Sequence, residues 1–79
     1  MIPPRIHSVK PLDNYILEIT YKSKEIKHYD MKKILNQSFY KNLNNIAYFK
    51  MVKSADTTVE WPNGEDIDPN ELYENSISI

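Results

Sequence analysis

Apolar and polar side chains alternate most cleanly between Tyr15 and Lys22. Tyr15, Leu17, Ile19 and Tyr21 share one face of an extended segment, and Glu18, Thr20 and Lys22 share the other. A period of two, with β-branched and aromatic side chains, predicts a strand. Its second face is polar, which predicts a sheet covered on one side only. Upstream, Pro3-Pro4 and Pro11 bracket Ile6 and Val9, so residues 5–10 are expected to form an edge strand, followed by a turn at Asp13-Asn14. Downstream, Ser23-Lys24 separates this strand from Glu25–Asp30. A two-residue turn there sets Tyr21 opposite Ile26 and Ile19 opposite His28, with Ile26 in the core. Ser-Lys is poor chemistry for a type I′ turn, and a longer loop turns Tyr29 inward instead of His28. The residues leave both registers open.

Asp30 is a ready N-cap for Met31-Lys32-Lys33-Ile34-Leu35. Phe39, Leu43, Ile46 and Phe49 follow at helical spacing, but Asn44-Asn45 predicts two short helical pieces rather than one helix. A second hairpin is expected around Asp56-Thr57. It pairs Val52 with Trp61, Lys53 with Glu60, Ser54 with Val59 and Ala55 with Thr58, matching both apolar character and charge. Pro62-Asn63-Gly64 then reverses the chain, and Ile67 returns to the core. Asp68-Pro69-Asn70-Glu71 carries an N-cap carboxylate, Pro at the first helical position and Glu at capping-box spacing, so a last helix is expected from there. Ile77 and Ile79 make an extended tail. The fold expected is a small α+β domain over residues 1–79. Its antiparallel sheet is a three-stranded meander plus a second hairpin, with short helices on one face, in the order β-β-β-α-α-β-β-α.

With 79 residues and no Cys, the core has to come from apolar and aromatic packing, with no disulfide or thiolate metal site. Self-association into a homo-oligomer would extend such a core. No apolar run reaches the ~18–20 residues of a membrane span, and no leader is visible, so a cytoplasmic protein without membrane contact is expected. Net charge is −1, but it is segregated: all ten Lys and Arg lie within residues 1–55, and residues 56–79 are purely acidic. Mutual neutralisation across the fold accounts for this most simply. The functional alternative is a nucleic-acid face made of Lys22, Lys24, Lys27, Lys32, Lys33 and Tyr40, where ammonium groups track phosphates and the ring stacks on bases.

Glu65, Asp66 and Asp68 form an acidic cluster, but they lack the further spaced oxygens of a calcium loop, and Asp68 already has a capping task. Asp66 is expected to accept N–H groups from the Pro-Asn-Gly turn. His7 and His28 have no His or Cys neighbour at ligand spacing, and one Gly excludes a phosphate-cradling loop. No catalytic residue, metal site or cofactor is therefore assigned.

Two blocks resemble the bacterial domain-of-unknown-function family 2442. One is Val9-Lys10-Pro11-Leu12 with Tyr15-Ile16-Leu17-Glu18-Ile19-Thr20-Tyr21. The other is Val59-Glu60-Trp61-Pro62-Asn63-Gly64-Glu65-Asp66-Ile67-Asp68-Pro69 with Leu72-Tyr73, and Phe49 falls where the family carries a Phe. Ser23-Lys24 departs from the Asp-Gly or Asn-Gly of that pattern. The resemblance implies a small α+β domain, in gene arrangements that look like toxin–antitoxin pairs, with no established catalytic residues. Trp61, Pro62, Asn63, Gly64, Asp66, Asp68 and Pro69 are then a structural signature. The expected function is a non-enzymatic protein-interaction or regulatory module with a protein partner, and the alternative is a nucleic-acid-binding accessory protein.

Overall fold

The computed structural model describes residues 2–79. A four-stranded antiparallel sheet runs in the order β1-β2-β3-β6, with β1 at Ile6–Leu12, β2 at Ile16–Tyr21, β3 at Ile26–Asp30 and β6 at Ile77–Ser78. A separate hairpin, β4 (Lys53–Ala55) and β5 (Thr58–Glu60), meets the start of β1, where the Ile6 N–H donates to the Asp56 carbonyl at 2.7 Å. Two short helices, α1 (Ile46–Phe49) and α2 (Pro69–Glu74), and several 3₁₀ turns complete the chain. The α+β architecture and the meander-plus-hairpin arrangement are those expected from the residue pattern. The tail adds β6, which pairs Ser78 with Lys27 and Ile77 with His28.

Leu17, Ile19 and Tyr21 of β2 are buried with Ile6, Tyr29, Leu43, Phe49, Val59, Trp61, Ile67 and Leu72 in one core. Tyr15 lies just before β2, half-buried, with its ring 4.9 Å from Phe49 and its hydroxyl donating to the Asn44 carbonyl at 2.7 Å. The second hairpin has the expected register, Lys53 opposite Glu60, Ser54 opposite Val59 and Ala55 opposite Thr58. Asp30 and Asp68 cap as expected, accepting from the Lys32 N–H at 2.9 Å and the Asn70 N–H at 3.4 Å.

The first hairpin takes the longer loop. Thr20 stands opposite Ile26, Ile19 opposite Lys27 and Leu17 opposite Tyr29. Tyr29 is therefore the inward residue, and the placement of Ile26 in the core is corrected: it is 40% exposed on the outer face. The loop closes by Lys24 N–H to the Tyr21 carbonyl and Tyr21 N–H to the Glu25 carbonyl, both 2.9 Å, with Lys24 at φ 77. This is a three-residue loop whose last residue is left-handed. The Trp61 turn repeats the same bonds: Gly64 N–H to the Trp61 carbonyl and Trp61 N–H to the Glu65 carbonyl, again 2.9 Å, with Gly64 at φ 97. Glycine occupies that position without a Cβ penalty, and lysine does not. Replacing Lys24 with Gly is expected to raise stability by about 1 kcal/mol, read as a higher urea midpoint at unchanged m-value. An unchanged or lower midpoint would show that the left-handed turn carries no strain.

The 38–49 segment forms the two short helical pieces expected, broken at Asn44-Asn45. Residues 38–44 form a 3₁₀ stretch in which Tyr40 and Leu43 are buried, and Asn45 then caps α1 through the Ala47 N–H at 3.0 Å. The break removes the common helical face, leaving Phe39 and Ile46 exposed while Leu43 and Phe49 stay buried. Glu71 does not close a capping box but faces elsewhere: it accepts from the Tyr29 hydroxyl at 3.0 Å and the Asn75 amide at 2.7 Å.

Candidate functional site

The signature stretch is a packing device. Trp61 is buried beside Phe49 and donates its indole N–H to the Phe49 carbonyl at 2.9 Å. Pro62, Asn63 and Gly64 make the exposed turn, and Asp68 and Pro69 start α2. Glu65, rather than Asp66, holds this turn. Its buried carboxylate accepts from the Tyr48 hydroxyl at 2.6 Å and the Asn42 amide at 3.3 Å, and Tyr48 in turn accepts the Asn63 N–H at 2.8 Å. Burial pushes the Glu65 carboxyl up, but hydrogen bonds from Tyr48, its own backbone and Asn42 outweigh it and hold the group below the usual Glu value. Asp66 contributes its carbonyl, which accepts the Tyr40 hydroxyl at 2.7 Å. The acidic run thus splits, Glu65 inward and Asp66 and Asp68 outward. Among the described residues no group of three or more His, Asp or Glu side chains is placed to hold a metal ion.

The six positions considered for a nucleic-acid face do not come together. Lys27 and Tyr40 are buried. The Lys27 ammonium lies 3.8 Å from the centre of the Tyr73 ring and donates to the Tyr73 carbonyl at 2.6 Å, at the C-terminal end of α2, where a cation is favoured. Lys32 and Lys33 sit after β3 and donate to the Asn14 and Asn75 carbonyls. Lys22 and Lys24 sit in the loop before β3, at its other end.

The outer face of the sheet is where the structure leaves exposed chemistry. Strand alternation puts Ser8, Lys10 and Leu12 of β1 on this face, with Ile16, Glu18 and Thr20 of β2, Ile26, His28 and Asp30 of β3, and Ile77 of β6. At its centre His28 and Glu18 meet at 3.0 Å. Ile16, His28, Ile77 and Ile79 line a shallow groove of about 300 Å³, rimmed by Asp30 and Lys33. Beside the β2–β3 loop, His7, Thr20, Tyr21, Lys22 and Lys24 line a second concavity of about 370 Å³. His7 reaches it because a bulge between Ile6 and Ser8 shifts the β1–β2 register. Thr20, Ile26 and Ile79 are lateral neighbours across three strands, so the basic corner runs directly into the apolar groove.

Glu18, Thr20 and Lys22 make the second face of β2 polar in the sequence, which hides this surface. The usable signal was Ile16 together with Ile26, Ile77 and Ile79, but their common side follows only from the loop register and from β6. A family model described as "Protein of unknown function (DUF2442)" matches residues 6–78. No curated protein and no solved structure matches the chain.

Proposed function

The chain belongs to this family of unknown function, and from that premise we propose that it is a bacterial, cytoplasmic, non-enzymatic interaction module. It binds a partner protein through the outer face of its sheet. The observation that carries this reading is the exposure of Ile26, Ile77 and Ile79, at 40%, 71% and 74%, on one continuous sheet face. Apolar side chains gathered on a surface and rimmed by polar ones are a mark of an interaction site. The inner face has no comparable role, because it is consumed by the core. The family resemblance adds direction: arrangements that look like toxin–antitoxin pairs place a regulatory partner next to the gene. Among the described residues no helix is long and apolar enough to cross a membrane.

The test is co-expression with the protein encoded beside this gene, followed by calorimetry on the purified pair. Binding is expected, and Ile77→Asp is expected to weaken it by about tenfold or more. An Asp66→Lys variant, altered away from the sheet face, should bind as the parent does. Both variants change exposed side chains, so their melting temperatures should match the parent. A chain that binds nothing, or binds equally well with Ile77→Asp, overturns the reading.

A further inference from the structure

Resting on that reading, we infer that the partner presents an acidic segment, with a carboxylate seated in the His7–Thr20–Lys22–Lys24 corner and apolar side chains laid in the adjoining groove. The carboxylates on the outer face are already engaged: Glu18 is held by His28 at 3.0 Å, and Asp30 by the Lys32 ammonium at 3.1 Å and the Lys32 N–H. Nearby, Glu25 accepts from the Tyr73 hydroxyl and from Ser23 on the loop. Among the described residues Lys10, Lys22 and Lys24 make no ion pair. The face therefore offers unmatched positive charge at one end and isoleucine at the other.

The chain's own acidic half does not answer this demand. None of its seven acids lines the corner: Glu65 is buried, Glu71 accepts from Tyr29, Glu60 pairs with Lys53 and Asp56 with Arg5, and Asp66, Asp68 and Glu74 make no ion pair with its lysines. Geometry narrows the partner further. Thr20 marks the corner, Ile26 lies one strand away and Ile79 two strands away, so carboxylate and apolar anchor stand about 10 Å apart. Two ammonium groups and a threonine hydroxyl can surround a single carboxylate while the lysine stems cover the apolar contact.

The experiment titrates a short synthetic Leu/Glu peptide, and its Leu/Lys counterpart, into the isotope-labelled full chain and follows the amide resonances. The Leu/Glu peptide is expected to shift Thr20, Lys22, Lys24 and Ile77 and to bind more weakly as salt is added. Lys22→Glu with Lys24→Glu should reduce its affinity about tenfold and reverse the preference in favour of Leu/Lys. Both lysines are exposed, and an unchanged melting curve confirms that the double variant is folded. Equal affinity for the two peptides, with shifts on the outer face, overturns the acidic partner and leaves the interaction surface standing. Shifts elsewhere, or none, overturn both. Tighter binding of a single-stranded oligonucleotide at the same corner, or a dimer in sedimentation that Ile77→Asp dissolves, would each overturn the acidic-protein assignment.

Discussion

Trp61→Ala is expected to cost about 3–5 kcal/mol, a large part of the roughly 4–12 kcal/mol available to a domain of this length. Trp61 is 1% exposed and is the largest fully buried side chain. Removing it opens a cavity against Phe49 and also strips the Phe49 carbonyl of its indole donor. Two packed units meet there, because Glu65 of the Trp61 turn is bonded both to Asn42 of the 3₁₀ stretch and to Tyr48 of α1. The ring cannot be replaced by rearranging an adjacent loop. Urea titration should show the variant mostly unfolded or its midpoint strongly lowered. Trp61→Phe separates the two contributions: it keeps most of the apolar contact and loses the hydrogen bond, for about 1–3 kcal/mol. A melting temperature that does not move in the alanine variant would contradict the burial of this side chain.

Alkali is expected to destabilise the domain while its buried tyrosines stay protonated. Burial, then the neighbouring Tyr73 and Glu25, pushes the Tyr21 hydroxyl up to about 12. Burial, then the Glu71 carboxylate that accepts its hydrogen bond, pushes Tyr29 up further. Tyr40 is raised by burial and by Asp66. A group whose folded value lies above its unfolded value stabilises fully below the unfolded value, near pH 10, and loses that contribution as pH rises toward the folded one. Each tyrosine removes at most about 1.4 kcal/mol per pH unit in that window. For Tyr21 and Tyr29 together the loss is on the order of 3 kcal/mol by pH 12 after residual screening. The urea midpoint should therefore fall progressively as pH rises above 10, and unfolding in urea at high pH should release tyrosinate absorbance together with the loss of circular dichroism. Tyr21→Phe gives a discriminating control. The Tyr21 hydroxyl has no hydrogen-bond partner among the described residues, so the variant should lose little stability at neutral pH and resist alkali better. A gradual titration of all tyrosines with the fold intact would refute the expectation.

Much of the architecture was legible because it rests on neighbouring residues. The Leu17–Ile19–Tyr21 face reads directly from a period of two, and the second hairpin is specified twice, by Val59 and by the Lys53–Glu60 pair. Asp30, Asn45 and Asp68 cap helical turns through bonds to residues two or three positions ahead. Gly64 and Pro62 carry their φ preferences with them. The nucleic-acid candidates were less legible, because the exposure of Lys27 and Tyr40 depends on partners far along the chain: Tyr73 for one and Asp66 for the other.

The sequence by itself determined the second hairpin and the Trp61 turn, the caps, the core face of β2 and the family. The tertiary structure alone decided the side on which β3 presents its residues. Ser23-Lys24 has no glycine to dictate a turn, so the register was settled by what lay across the core. Tyr29 could reach Glu71, and Lys27 could be buried because the Tyr73 ring and carbonyl, forty-six positions away, were there to receive its charge. That one-residue difference turned Ile26 outward beside Ile77 and Ile79 and created the exposed sheet face. Backbone preferences act between adjacent residues and are written locally. The side on which a strand is buried depends on the energy of groups brought together only when the chain has folded.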